Sequence, residues 1–260
     1  MKQLDNTNSI YRTNPLPVSR FAKALPEFFF YPQFLAVVFK AGFLAKRAKY
    51  DDAAWCESSF AVFRALERIG VQFQITGIDN LAKTKEPCII IGNHISTLET
   101  IILPIIIEPI KRMTFIIKQS LLDYPVFKHI MHTRDPIAVT RTNPRQDLKA
   151  VLDGGMDRLK KGLSIMVFPQ TTRTNEFDPA QFSSIGVKLA QKAKVPIVPL
   201  ALKTDAWGNG KRLKDFGKID PAQKVYFAFG EPLRVQNRGA EEHRAIIDFI
   251  TSKLTEWQGR

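Results

Sequence analysis

Residues 88–107 read CIIIGNHISTLETIILPIII. The first four are apolar and rich in β-branched isoleucine, which suits a short strand better than a helix. Gly92, Asn93 and His94 then interrupt the run, and from Ser96 an apolar stretch of helical length follows. A near-continuous isoleucine strand that hands over to a helix is the mark of a parallel strand buried on both faces. The same alternation recurs along the chain. Strand-like runs fall at 71–76 (VQFQIT), 114–118 (TFIIK), 136–140 (PIAVT), 164–168 (SIMVF), 195–202 (VPIVPLAL) and 225–229 (VYFAF). Helical stretches fall near 51–69, 96–107, 119–132, 145–161, 179–194 and 240–257. The helix near 145–161 has Gly162 as a stop, with Lys160 and Lys161 favouring its C-terminal dipole. The pattern predicts an α/β fold with a mostly parallel central sheet of about seven strands, covered by helices on both faces.

Composition bounds the rest. The chain has 260 residues, 45% hydrophobic and 24% charged, which is ample for a sizeable core and excludes a disordered or fibrous chain. Two cysteines, Cys56 and Cys88, make neither a disulfide framework nor a thiol metal site, so a reducing compartment is expected. The first twenty residues lack an apolar core behind a basic start, and no secretory signal is expected there. The net charge is +13 and unevenly spread. Residues 1–50 hold eight basic against two acidic side chains, whereas residues 51–100 hold four against seven. A basic balance attracts phosphate-bearing partners. Charge alone does not choose among nucleic acid, anionic lipid and nucleotide thioester.

The N-terminal quarter is more telling. From Phe28 to Phe39 the chain reads FFFYPQFLAVVF without a charge, flanked by Arg20, Lys23 and Glu27 before it and Lys40, Lys46, Arg47 and Lys49 after it. A spanning helix needs ~20 apolar residues, and this run is shorter and holds Pro32. Aromatics between basic flanks suit a segment lying in the headgroup region of a membrane. A helical hairpin packed on the core suits the same residues equally well. The division expected is a helical, membrane-interacting segment over 1–70 and an α/β domain over 71–260. Lys203–Asp220 reads as an exposed basic loop.

In such sheets, sites form at the carboxyl ends of strands. Three ends carry suggestive residues. His94 leaves the 88–92 strand, and Glu99 follows five positions later at the start of a helix. The carboxylate can hold one ring nitrogen as a donor and leave the other to take a proton, or it can simply favour the helix dipole. Arg141 ends the 136–140 strand and Arg145 opens the next helix, an arrangement open to a phosphate or to plain solvation. Arg173 follows the 164–168 strand in a turn with Gln170, Thr171, Thr172 and Thr174, which can hold a second anion, bring backbone amides near a reacting carbonyl, or be a simple loop. His129 and His132 are expected on a helix surface, His243 in solvent, and no metal site is expected.

Taken in order, these stretches resemble the glycerolipid acyltransferases of the 1-acyl-sn-glycerol-3-phosphate acyltransferase type. NHISTLE supplies the family's Asn-His with a carboxylate after four residues, Glu99 standing where the family has Asp. IAVTR supplies the strand-end arginine, Arg141. FPQTTR keeps Phe168, Pro169, Thr172 and Arg173 of Phe-Pro-Glu-Gly-Thr-Arg, with Gln170 and Thr171 in place of Glu and Gly. VPIVPL (195–200) matches the family's apolar Val-Pro-Ile-Val-Pro strand, and KQSLLDYP resembles its lysine before a Leu-x-x-x-Pro stretch, which implies Lys118 as a further phosphate contact. The resemblance runs from about Val71 to Leu233. It implies a membrane-associated enzyme at the cytoplasmic face that moves a fatty acyl group from acyl-CoA or acyl carrier protein to the free hydroxyl of a lysophospholipid, first among them lysophosphatidic acid. His94 would be the general base oriented by Glu99; Lys118, Arg141, Gln170, Thr171, Thr172 and Arg173 would bind substrate. No cofactor beyond the thioester co-substrate, no metal and no nucleic acid is implied. The alternative expectation is a catalytically silent or altered-specificity lipid-binding homologue.

Overall fold

An eight-stranded sheet runs in the order β1-β2-β8-β7-β3-β6-β4-β5. Its strands are β1 (Ile10–Arg12), β2 (Phe73–Thr76), β3 (Ile89–Gly92), β4 (Met113–Lys118), β5 (Ile137–Val139), β6 (Ser164–Val167), β7 (Ile197–Lys203) and β8 (Val225–Phe229). The computed structural model describes residues 4, 9–14, 17–124, 127–170, 172–211 and 213–258. All seven strands expected from the apolar runs are present, and the mostly parallel character holds. The β1–β2 and β7–β8 pairs are antiparallel. The eighth strand, β1, is only three residues long and half-exposed, so it carries no apolar signature in the sequence. It is held by pairing with β2.

The strand residues sort by parity. Ile90, Met166, Val198 and Phe227 enter one apolar cluster, and Ile89, Ile91, Ile165 and Ile197 enter the other. This two-residue alternation sends successive side chains to opposite faces of the sheet. On the first face lie α2 (Pro26–Lys46), α3 (Asp52–Arg68) and α4 (Thr97–Ile107). On the second lie α6 (Pro144–Lys160), α7 (Ile185–Ala193) and α8 (Ala240–Gln258). The short α1 (Arg20–Ala24) precedes α2, and α5 (Lys128–His132) precedes β5. α4 is apolar all round and buried along nearly its whole length, as a helix walled in by neighbours must be. At the end of β3, a Cβ on Gly92 would come within 2.9 Å of the Leu200 carbonyl oxygen. A hydrogen is all that fits between β3 and β7 where the chain turns toward His94.

Several expectations are corrected. The stretch 119–132 is not one helix but a 3-10 turn at Gln119–Leu121 followed, after a break, by α5; Tyr124 precedes a proline, which disfavours helical backbone. The stretch 179–194 is likewise a 3-10 turn at Pro179–Gln181 followed by α7. The apolar run at 28–39 is the middle of a 21-residue helix with Pro26 at its first position and Pro32 inside. That helix is long and apolar enough to cross a membrane by length and composition, contrary to the shorter span read from the sequence. One stripe of it, Phe30, Phe34, Val38 and Ala41, is buried against the body, while Phe28 (72%) and Phe39 (67%) are among the most exposed apolar side chains.

The segment Lys203–Asp220 does expose Lys211, Lys214 and Lys218, as expected, but it is anchored at both ends rather than free. Trp207 and Ile219 form an isolated β-bridge and are fully buried. Trp207 packs edge-on against Phe30 and Phe34, with ring centroids 4.8 and 5.0 Å away. The Tyr31 hydroxyl donates to the Gly217 carbonyl, and Ile219 N–H donates to Glu27 Oε1 at 3.0 Å. α2 thus clamps this loop against the sheet. His243 is half-buried rather than solvated, stacked on Phe182 at 6.0 Å. Burial there pushes its imidazole below the usual value.

Candidate functional site

β3 lies between β6 and β7, and its carboxyl end delivers Asn93 and His94 to the middle of the sheet edge. The Asn93 side chain extends the ladder. Its Nδ2 donates to the Leu202 carbonyl at 2.8 Å and its Oδ1 accepts from Leu202 N–H at 2.8 Å. His94 is held by its backbone as well. Its N–H donates to Gln170 Oε1 at 2.6 Å, and its carbonyl accepts from Thr174 N–H at 3.1 Å. Strand β6 and the turn after it therefore fix where the imidazole starts.

Glu99 fixes where it points. Its Oε1 lies 2.9 Å from His94 Nδ1. The same oxygen accepts from Ile95 N–H at 2.7 Å and Ser96 N–H at 2.9 Å. Its Oε2 accepts from the Ser96 hydroxyl and from the Thr204 hydroxyl. Ser96 and Glu99 form a reciprocal capping box at the start of α4. The two sequence readings of this carboxylate, orienter and helix-start residue, describe one side chain in both positions at once. The extra methylene of glutamate suits the box, because the carboxylate curls back over the helix start to reach the N-cap amide.

Glu99 is fully buried. Burial alone would raise its carboxyl, but hydrogen bonds from His94, Thr204 and Ser96 and attraction to the imidazole outweigh this and hold it below the usual carboxylate range. An ionised Glu99 accepts only, so Nδ1 carries a ring proton, and in the neutral ring the lone pair therefore sits on Nε2. Among the described residues no hydrogen bond reaches Nε2. The ring is stacked on Phe168, centroids 4.3 Å apart and 16° from parallel.

His94 lines a pocket together with Lys118, Arg141, Arg173 and Asp215. The rest of the lining is largely apolar, with Val38 from α2, Val62 from α3, Ile101 from α4, Phe115 from β4 and Ile130 from α5. Arg141 has a left-handed backbone, φ 63°, rare for a side-chain-bearing residue and found at functional sites. Asp147, in the first turns of α6, holds that conformation by accepting from Thr140 N–H and Arg141 N–H, both at 2.7 Å. Partial desolvation pushes the Arg141 guanidinium below its usual value; Asp147 opposes the shift, and the like charge of Arg173 adds to it.

The expected site residues divide into two groups. His94, Glu99, Lys118, Arg141 and Arg173 converge, and all but the buried Glu99 line the pocket. Gln170 is buried and turned to the backbone of His94, and the exposed Thr172 accepts from Lys214 Nζ at 3.1 Å; neither lines the pocket. Thr171 lies outside the described residues. Sequence reasoning passed over Thr97, Thr204 and Asp215, which reach the site from α4 and from the loop after β7. Among the described residues no group of three or more His, Cys, Asp or Glu side chains is placed to hold a metal ion.

Residues 72–203 match the family model described as Acyltransferase. The 1-acyl-sn-glycerol-3-phosphate acyltransferase of Pseudomonas aeruginosa is 33% identical over 165 residues, which cover 63% of this chain and 62% of that protein. The protein of that name from Saccharomyces cerevisiae is 34% identical over 137 residues, covering 52% and 44%. The matched stretch thus spans less than two thirds of either relative's own length. The crystal structure of the 1-acyl-sn-glycerophosphate acyltransferase PlsC from Thermotoga maritima superposes with a TM-score of 0.67 at 19% identity, covering 93% of this chain and 98% of that one. That superposition shows a shared fold.

Proposed function

The chain belongs to the acyltransferase family, and from that premise we propose that it transfers a fatty acyl group from a thioester to the free hydroxyl of a lysophospholipid, first among them lysophosphatidic acid, giving phosphatidic acid. The observation that carries the reading is the His94–Glu99 pair at 2.9 Å, with His94 lining a largely apolar pocket that also holds Lys118, Arg141 and Arg173.

His94 Nε2 takes the proton of the acceptor hydroxyl as its oxygen attacks the thioester carbonyl. Glu99 holds the ring in the required tautomer and stabilises the imidazolium that forms. The C–S bond then breaks, and the departing thiolate takes the proton back. No covalent enzyme intermediate and no cofactor is needed, because the acyl group arrives activated as its thioester on CoA or carrier protein. The apolar walls take the acyl chain. Lys118, Arg141 and Arg173 take the acceptor phosphate or the donor's phosphates. Gln170 acts through the backbone of His94.

The expected division at residue 70 is not clean, because β1 joins the sheet and α3 packs in its core; the membrane-facing part is α1 with the outer side of α2, and residues 71–260 carry the reacting groups. α1 and α2 expose Phe21, Leu25, Phe28, Phe39 and Phe43, with Lys23, Lys40, Lys46 and Arg47 among them. Such a surface suits an anionic leaflet of the cytoplasmic side, where the lysolipid acceptor partitions. The test is acyl transfer to lysophosphatidic acid by purified His94→Ala and Glu99→Ala. His94→Ala should lose at least ~10³-fold in kcat and Glu99→Ala ~10²-fold, each with intact secondary structure. Turnover at the unmutated level in His94→Ala would remove the reading.

A further inference from the structure

Arg173 is already engaged by a carboxylate. Its Nη1 donates to Asp215 Oδ1 at 2.8 Å and to Thr97 Oγ1 at 2.7 Å, and Thr97 Oγ1 donates to the same Asp215 oxygen at 2.8 Å. The side chains of Arg173 and Asp215 are 17% and 15% exposed, and both stand in the wall of the pocket that holds His94. The backbone of Asp215 is pinned. Trp207 Nε1 donates to its carbonyl at 3.2 Å, and two residues on, Gly217 is bound by Tyr31. Its side chain is therefore the part free to exchange.

The carboxylate gives Arg173 and Thr97 an oxygen acceptor with one negative charge. A phosphate monoester at neutral pH offers three such oxygens and a charge of about −1.5 to −2; a phosphodiester offers two and a charge of −1. An incoming head group must replace the oxygen that Asp215 supplies and must also withstand its repulsion. The doubly charged monoester gains enough from Arg173, Arg141 and Lys118 together to do so. The singly charged diester only trades one like pairing for another while facing the same repulsion.

We propose that Asp215 is a specificity-determining residue that stands in for the acceptor phosphate on Arg173, admitting phosphomonoester lysolipids and turning away phosphodiester ones. The proposal rests on the acyl-transfer reading above and adds which head group the site takes.

The experiment compares lysophosphatidic acid with lysophosphatidylglycerol as acceptors for the full chain in mixed micelles. Asp215→Asn should lower the KM for lysophosphatidic acid several-fold and raise kcat/KM for lysophosphatidylglycerol about tenfold, narrowing the preference. Asp215→Glu, which restores the charge, should keep the preference of the unmutated chain. A purely structural pair predicts the opposite, a kcat loss shared by both acceptors; a preference ratio unchanged within twofold in Asp215→Asn overturns the proposal. Should the amide variant fail to fold, Asp215→Ser carries the same expectation, and the same unchanged ratio overturns it. The His94→Ala background separates this from failure of the acyl-transfer reading. There, binding of each lysolipid followed by tryptophan fluorescence should show the same Asp215-dependent preference without turnover. If His94→Ala still turns over normally, the transfer reading falls; if only the preference fails to move, Asp215 alone is misassigned.

Discussion

The Thr204 hydroxyl, on the loop after β7, donates to Glu99 Oε2, on the first turn of α4, across 105 residues of sequence. This bond closes the set of donors around a carboxylate that has no contact with water. It joins the strand β7 side of the site to the helix that carries the orienting group.

Replacing Thr204 with valine keeps the volume and removes the donor. The fold should lose about 1–3 kcal/mol at pH 7, because a buried charge loses a partner. Glu99 sits below its unfolded carboxyl value, so the stability it contributes is present above that value and is lost as pH falls toward the folded one. Thr204→Val raises the folded value and shrinks the contribution. The difference between the two proteins in urea midpoint should therefore be largest near pH 7 and fade toward pH 3. An equal difference at every pH would show that Thr204 acts by packing alone.

Gln170 tests whether that side chain serves the backbone or the substrate. Gln170→Ala removes the acceptor for His94 N–H and frees the imidazole to drift. Since displacements of ~1 Å can cost ~10²-fold, kcat should fall ten- to a hundredfold with KM within about threefold. Gln170→Glu keeps an acceptor and should stay within about fivefold of the unmutated rate. A rise in KM at constant kcat would instead place Gln170 on the substrate.

Glu108, at the end of α4, is 4% exposed and accepts from Met113 N–H at 2.9 Å. Burial first, then the nearby Asp52, push its carboxyl up to about 7, against the opposing pull of Arg134 and Arg112. The folded state thus holds this proton to higher pH than the unfolded chain does. Its stabilising share is complete below about pH 4.3 and declines as pH rises to 7. Glu108→Gln removes that decline. Thermal melts should show the variant gaining on the unmutated protein by on the order of 3 kcal/mol between pH 4.5 and 8. Parallel pH profiles would contradict this.

Phe39 and Phe43 are one helical turn apart on the exposed side of α2, with the Arg47 guanidinium 3.5 Å over the Phe43 ring. If this side enters the leaflet, each ring contributes about 2 kcal/mol on transfer. The double variant Phe39→Asp with Phe43→Asp should lose sedimentation with anionic vesicles by at least about a hundredfold. Its turnover of a short-chain, water-soluble acceptor should change by less than twofold. Undiminished vesicle binding would move the lipid contact elsewhere.

Much of this architecture is legible before any coordinates. Ile89–Ile91, Ile165–Val167 and Ile197–Val198 are buried on both faces and must be apolar throughout, so their strands stand out. β1 does not, because a half-exposed edge of three residues needs no pattern. The pairing of His94 with Glu99 is local, five residues apart, and spacing alone suggests it. Thr204, Asp147 and Asp215 act on residues far away in the chain or through backbone conformation, and single polar residues in loops leave no period to read. Trp207 is hidden among lysines in the sequence; only its seat under Phe30 and Phe34 shows that the segment folds inward.

α2 shows Phe39 and Phe43 to the outside while Phe34, Val38 and Ala41 of the same helix line the pocket and Glu27 and Tyr31 grip the Trp207–Ile219 loop. A shortened recombinant form beginning after residue 47 would shed its greasiest surface, yet it would also tear out one side of the pocket that holds His94 and release the strap bearing Asp215. Repainting the outward aromatics one by one would instead remove the apolar surface and leave the pocket wall and the strap in place.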